Sequence, residues 1–311
     1  MKPEVVDVLI VGAGLSGIGA ARQLQTNLPD SSYIILESRE AIGGTWDIFR
    51  YPGIRSDSDM FTLGYSFKPW RGGKVLADGP SIRHYVQETA AENGIEPHIR
   101  FGHRVVSAEW SSSDACWTVT AETTTGASRE FRCSILYMCA GYYSYKRGYT
   151  PEFPDIDRYQ GDLVHPQFWP EDLDYSGKKV VIIGSGATAV TLVPAMAARA
   201  ARVTMLQRSP TYMLNRPEYD RRWRILDKFL PSQTAYRLTR WFNIKQQWLI
   251  YTLTRIWPRM MKRYLIGRAR RQLPAGYDVE THFTPRYNPW DQRLCAVPEN
   301  DLFKVISEGE A

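Results

Sequence analysis

Cysteine is scarce in this chain of 311 residues. Its four copies, Cys116, Cys133, Cys139 and Cys295, form no CxxC or CxxxxC pair. That spacing argues against a structural zinc site and against a dithiol–disulfide reductase, so no metal site is expected. Reduced thiols in a cytoplasmic protein are the simple expectation. Long hydrophobic runs are also missing, and none reaches the roughly 18–20 residues needed to span a bilayer. Met1-Lys2-Pro3-Glu4 leads straight into a strand pattern, without the apolar core and cleavage site of a secretory leader. Low-complexity tracts are absent as well.

Charge of one sign is missing from one region. Between Arg216 and Arg271 fifteen Lys and Arg stand against three acids, Glu218, Asp220 and Asp227, so the overall +6 conceals a net acidic remainder. The same region carries Trp223, Phe229, Trp241, Trp248 and Trp257 on a helical pattern. Two readings stay open: a solvated helical insertion whose aromatics pack on the main body, or a peripheral membrane contact through 216–271. No nucleic-acid partner is expected, because no recognition motif accompanies the charge.

What the chain does have is two glycine turns about 170 residues apart. The first, Gly12-Ala13-Gly14-Leu15-Ser16-Gly17, follows the apolar run Val8–Val11. Gly12 permits the tight turn, Gly14 admits a pyrophosphate close to the backbone, and Gly17 lets helix pack on strand, with the helix N-terminus facing the phosphates. Glu37 ends the next strand, 20 residues after Gly17. A carboxylate there accepts from a ribose 2′-hydroxyl and repels a 2′-phosphate, which predicts FAD or NAD at this turn. The second turn, Gly184-Ser185-Gly186-Ala187-Thr188-Ala189, follows Val180–Ile183, and its next strand ends in Arg208 and Ser209 instead of an acid. A guanidinium pairs with a 2′-phosphate, which predicts NADPH. Two nucleotide cofactors in one chain imply electron transfer between them.

The expected fold is α/β, with two Rossmann-like βαβ domains and a helical insertion in the second. The first domain is read as 1–143 and the inter-domain connection as 144–178. The second domain is read as 179–311, with its helical insertion at about 217–272. Ile135–Cys139 reads as a separate buried strand after a hairpin near 104–121 and a strand near 130–133, and a last helix as Asp301 to Ser307.

Between the two turns stands Tyr159-Gln160-Gly161-Asp162-Leu163-Val164-His165-Pro166-Gln167-Phe168-Trp169-Pro170. It resembles the F-x-G-x-x-x-H-x-x-x-W-P motif of type I Baeyer–Villiger monooxygenases, with Tyr159 in place of Phe. Gly43-Gly44-Thr45-Trp46 followed by Arg50-Tyr51-Pro52-Gly53 resembles the flavin-side loop of that family, and Ala140 ends the strand pattern beside it. The stretch Asn288-Pro289-Trp290-Asp291-Gln292-Arg293 is similar to the ethionamide-activating branch. The resemblance covers essentially the whole chain.

It implies that NADPH reduces FAD, that reduced flavin and O₂ give a C4a-peroxyflavin, and that one oxygen is inserted into a ketone or added at sulfur. An N- or S-oxygenating flavin monooxygenase is the neighbouring alternative, and a non-catalytic nucleotide- or membrane-binding remnant is another. Arg293 matches the active-site arginine of the family, whose charge would stabilise developing anions. Asp57 matches the acid that positions it. Tyr159, Gly161, His165 and Trp169 would be structural members of the linking motif. Gln292 stands where many members have lysine, which leaves more of the 2′-phosphate discrimination to Arg208. Family members run well over a hundred residues beyond the equivalent of Ala311, so a piece of a longer monooxygenase parent, binding FAD weakly or not at all and turning over poorly, is the expectation.

Overall fold

The computed structural model describes residues 2–311. In chain order the elements are β1 (Glu4–Val11), α1 (Leu15–Asn27), β2 (Tyr33–Leu36), α2 (Thr45–Ile48), α3 (Met60–Leu63), α4 (Gly79–Glu92), β3 (Ile99–Arg100), β4 (His103–Ser111), β5 (Cys116–Thr123) and β6 (Ser128–Met138). There follow β7 (Lys179–Ile183), α5 (Ala187–Ala197), β8 (Arg202–Leu206), β9 (Tyr212–Arg216), α6 (Arg221–Phe229), α7 (Ser232–Ile256), α8 (Pro258–Arg270), α9 (Val279–Phe283), β10 (Leu294–Pro298) and α10 (Asp301–Ser307). By their mutual contacts the residues fall into two units. One holds residues up to Arg50 with Gly79–Phe168, and the other Tyr51–Asp78 with Trp169–Ala311.

The first unit is built on a six-stranded sheet in the order β3-β2-β1-β6-β5-β4. β1 pairs in parallel with β2 and β6, which gives the βαβ crossover expected after the first glycine turn. β6, β5 and β4 form an antiparallel meander. The two strands expected near 130–133 and at 135–139 are one continuous strand. Its first half pairs with β5, while Phe131 to Met138 run beside β1, and only Ser134 separates the two apolar stretches, so nothing breaks the chain there. Leu9, Val11, Ile34, Leu36, Val119, Ala121, Phe131 and Cys133 close the core on one side of this sheet. The expectation of burial for 135–139 fails: Ile135, Tyr137 and Met138 are all exposed.

The second unit contains two short parallel pairs, β7 with β8 and β9 with β10. Val181, Ile183 and Leu206 on the first pair are exposed, so β7 is not the buried strand its sequence suggests, whereas Val203 is fully enclosed. Residues 51–78 belong here, although the sequence places them in the first domain. The reason lies at Tyr51-Pro52-Gly53-Ile54, a turn closed by Ile54 N–H donating to the Tyr51 carbonyl at 3.2 Å. Gly53 has φ +73°, and a Cβ on it would lie 2.7 Å from Ala195 Cβ on α5, so only glycine lets this turn seat on that helix. Helices α6 to α8 occupy 221–270, inside the expected insertion. Among the described residues no helix is long and apolar enough to cross a membrane. All four cysteines are free thiols.

Candidate nucleotide-binding turns and the residues around them

At the first turn, geometry separates the three glycines by role. Gly12 has φ +106°, and a Cβ there would sit 2.5 Å from the Cys139 carbonyl oxygen and 3.5 Å from the Cα of Ala140, at the end of β6. A Cβ on Gly17 would sit 1.9 Å from the Gly12 carbonyl oxygen. Both glycines are therefore required by the packing of β1, α1 and β6. Gly14, the N-cap of α1, is different. The atom nearest an added Cβ is Gly44 Cα at 3.6 Å, an ordinary contact. Two side-chain-free backbones, Gly14 and Gly44, thus face each other across the helix N-terminus, an arrangement that suits a phosphate.

Glu37 is 1% exposed and binds the turn directly. Its Oε2 accepts from Ala13 N–H at 2.7 Å and its Oε1 from Arg39 N–H at 2.9 Å. Oε1 also accepts from Ser38 Oγ at 3.3 Å, so about one of the four acceptor positions of the carboxylate, on Oε2, remains for a ribose hydroxyl. Thr45 and Trp46 open the single turn α2, which begins at Gly44. On the same turn, buried Asp47 receives Arg39, Arg50 (2.9 Å) and Arg83 (3.3 Å). Burial alone pushes the Asp47 carboxyl up, and the guanidiniums of Arg39, Arg50 and Arg83 overcome that and hold it below its ordinary value. The Gly43–Gly44 loop is thus followed by a cluster of three guanidiniums gathered on the Asp47 carboxylate. The sequence reading missed this cluster.

The linking motif spans the boundary between the units. Tyr159 is exposed, and Gly161 makes room for its ring: a Cβ there would meet the phenol oxygen at 2.5 Å. His165 Nδ1 accepts from Gln167 N–H at 3.2 Å, and its ring fills the space beside Gly148. Buried Gln167, not singled out by sequence, donates to the Ser144 carbonyl at 2.5 Å and ties the motif down. Trp169 belongs to the second unit, edge-on to Tyr175 at 6.4 Å.

At the second turn Gly184 has φ +149° and Gly186 is the N-cap of α5, followed by Ala187 and Thr188. A Cβ on Gly186 would meet only Arg293 Cδ, at 3.7 Å. Ser185 organises the turn. Its Oγ donates to the Ser209 carbonyl at 2.7 Å, accepts from Thr211 Oγ1 at 3.2 Å and lies 3.4 Å from Arg293 Nη2. Its position inside the glycine turn was the available signal, and the sequence reading did not use it. Arg208, exposed at the end of β8, makes no hydrogen bond or ion pair among the described residues.

Arg293 and Asp57 both belong to the second unit, but no ion pair joins them among the described residues. Both act on Cys295, whose thiol is pushed up to about 12, first by burial, then by the Asp57 charge, with Arg293 opposing. Arg293 faces the second glycine turn. The charge nearest Asp57 in effect is Arg55, not Arg293. Asp57 keeps part of its surface in solvent, yet protein crowded around its carboxyl raises its pKa to about 6, against the pull of Arg55. Arg55 in turn is held by Asp301 at 2.6 Å. No sequence signal marks Asp301, which lies 246 residues away.

Residues 76–246 match the flavin-binding monooxygenase-like family, and residues 10–86 match a Rossmann-like NAD(P)-binding domain. The FAD-containing monooxygenase EthA of Mycobacterium tuberculosis is 53% identical over 308 residues, 99% of this chain and 63% of that protein. The chain therefore spans less than two thirds of the length of that curated relative. Among solved structures, a cyclohexanone-bound cyclohexanone monooxygenase has a TM-score of 0.60 at 26% identity, covering 69% of this chain and 41% of its own. An oxidised steroid monooxygenase bound to NADP has a TM-score of 0.78 at 23% identity, covering 98% of this chain and 64% of its own, a likeness of fold. With more than half its length matched to that model and 99% of it aligned to EthA, the chain belongs to the flavin-binding monooxygenase-like family.

Proposed function

We propose that this chain is the nucleotide-binding portion of an FAD- and NADPH-dependent monooxygenase. It would insert one oxygen of O₂ into a ketone, as in a Baeyer–Villiger reaction, or add it at sulfur. One observation carries this reading. Each unit holds a glycine turn whose middle glycine, Gly14 or Gly186, is not demanded by the packing around it. A Cβ there would fill space that the fold leaves open.

The residues fit the two cofactors. Gly14, Gly44 and the helix N-terminus of α1 would hold the FAD pyrophosphate, with Glu37 on the ribose and the Asp47 cluster of Arg39, Arg50 and Arg83 nearby. Gly186 and the α5 N-terminus would take the NADPH pyrophosphate, and the unpaired Arg208 its 2′-phosphate. When bound, flavin supplies hydride acceptance and oxygen activation. Arg293, placed at the second turn, would set a fixed positive charge near the nicotinamide half of the cofactor and near anions formed there. Asp57 is half ionised near pH 6, so above that pH it adds a negative charge that Arg55 partly balances. Small-molecule ketones or thioethers, with O₂, are the substrates this chemistry takes.

The test is the visible spectrum of the purified chain with FAD, before and after NADPH in air. A flavin band that bleaches and returns supports the reading. A chain that takes up neither nucleotide at high concentration overturns it for these residues. Arg208→Gln gives a sharper measurement. Removing a charge-assisted pair, worth roughly 1.5–3 kcal/mol, is expected to weaken NADPH binding by about ten- to a hundredfold and leave NADH unchanged. Equal loss for both would remove Arg208 from the 2′-phosphate site.

A further inference from the structure

Helix α7 is inside out. Its buried positions are Ala235, Tyr236, Thr239, Asn243 and Thr254, largely polar or small and mostly four residues apart. Polar bonds hold that face. Tyr236 donates to the Tyr65 carbonyl at 3.0 Å, Arg240 to the carbonyls of Phe61, Thr62 and Gly64 at 2.7–3.0 Å, and Asn243 to Asp59 at 3.1 Å. The outward face carries Leu238, Trp241, Phe242, Trp248, Leu249 and Ile256, all exposed, with Trp248 at 63%. Trp257 and Met260 continue the apolar surface into α8, and Phe229 at the end of α6 is 81% exposed. An ordinary surface helix turns its apolar stripe to the core. A contiguous outward stripe of this size marks an interaction site.

The charge around the stripe identifies what it fits. Arg221, Arg224, Lys228, Arg237, Lys245 and Arg259 pair with no carboxylate among the described residues. Of the three acids in the region, Glu218 already holds Lys74 and Asp220 holds Arg222, and exposed Asp227 on α6 is the single carboxylate set against these six cations. A second copy docking through the same face would set unpaired cations against unpaired cations. An anionic bilayer satisfies both halves at once. Tryptophan rings settle at the headgroup boundary, and arginine and lysine lie against phosphates while their stems stay apolar.

We propose that α6–α8 form a docking surface for anionic lipid. The outward face of α7, with Trp241 and Trp248, lies in the plane of the headgroups, and Arg237 and Lys245 contact lipid phosphates. The nucleotide turns take no part in this contact, so it stands or falls separately from the oxygenase reading.

The test is co-sedimentation of the 311-residue chain with vesicles of phosphatidylcholine, alone or with about a third phosphatidylglycerol. The tryptophan emission maximum is followed at the same time. Binding to the anionic vesicles only, reversed by salt and accompanied by a blue shift, is the expected result. Each basic side chain at such a surface is worth roughly a fivefold change in affinity. Arg237→Glu with Lys245→Glu should therefore weaken binding by about twentyfold or more, and Trp241→Ser with Trp248→Ser should abolish the blue shift. These positions are exposed, and unchanged thermal melting confirms that the variants are folded. Absence of pelleting, equal binding to neutral vesicles, or variants that bind like the parent would each overturn the proposal. Self-association lost in the tryptophan variant, without vesicle binding, would assign the face to a second copy and overturn it equally.

Discussion

Gly17→Ala is expected to destabilise the first unit by roughly 3 kcal/mol or more, whereas Gly14→Ala three residues away is expected to change stability by less than about 1 kcal/mol. The difference follows from what each new methyl would meet. At Gly17 it would lie 1.9 Å from the Gly12 carbonyl oxygen, a backbone atom that cannot rotate aside, so α1 must lift off β1. At Gly14 it would meet Gly44 Cα at 3.6 Å, and the φ of −82° there suits any residue. The order should reverse for FAD. Gly14→Ala fills the space over the helix N-terminus and is expected to reduce FAD affinity by at least about tenfold, equivalent to 1.4 kcal/mol, in a chain that melts normally. Chemical denaturation and FAD titration of the two variants check this. A Gly14→Ala chain that binds FAD like the parent would show that the open space is not a phosphate site.

This separation was only half legible in the sequence. The spacing of Gly12, Gly14 and Gly17, and of Glu37 after them, follows from local rules that a strand–turn–helix imposes, so their convergence could be read directly. The helical character of 221–270 and the span of α10 were legible for the same reason, since helical periodicity and caps are local. Long-range choices were not. Residues 51–78 join the second unit because Gly53 seats on α5 and because Asp59 and the carbonyls of 61–64 bind α7, pairings that span well over a hundred residues and leave no periodic trace. Arg293 turns toward Ser185, and Asp57 toward the influence of Arg55, because side-chain partners are chosen by the folded surroundings. The apolar runs of β6 and β7 predicted burial on both faces, yet Ile135, Tyr137 and Met138 on β6 and Val181 and Ile183 on β7 are exposed. Composition reports only that a residue can be buried, and not that something covers it.

Asp59→Ala is expected to lower the melting temperature of the second unit by roughly 6–12 °C, from a loss on the order of 3 kcal/mol. The carboxylate is 1% exposed and has five partners. It caps α3 by accepting from Thr62 N–H at 3.1 Å and also takes the Thr62 hydroxyl at 2.7 Å. Asn243 donates to it at 3.1 Å, Gln247 donates to its other oxygen, and Arg216 lies 4.0 Å away. Alanine would keep the Asp59 carbonyl for Thr62, but it would take from buried Asn243 its carboxylate acceptor and from Arg216 its nearest negative charge, and unpaired buried groups cost more than their bonds had contributed. Asp59→Asn, of the same shape, retains one acceptor oxygen and should recover only part of the loss, whereas a merely steric role would predict full recovery. The same residue explains why α7 faces the wrong way for a surface helix. With Asn243 buried against one carboxylate that Gln247 also reaches from the surface, and Arg240 bound to three carbonyls, the helix has no rotation left that would hide Trp241 and Trp248. Thermal melts of the alanine and asparagine variants, followed by vesicle binding of whichever remains folded, would show whether the inward polar face and the outward aromatic face depend on the same bonds.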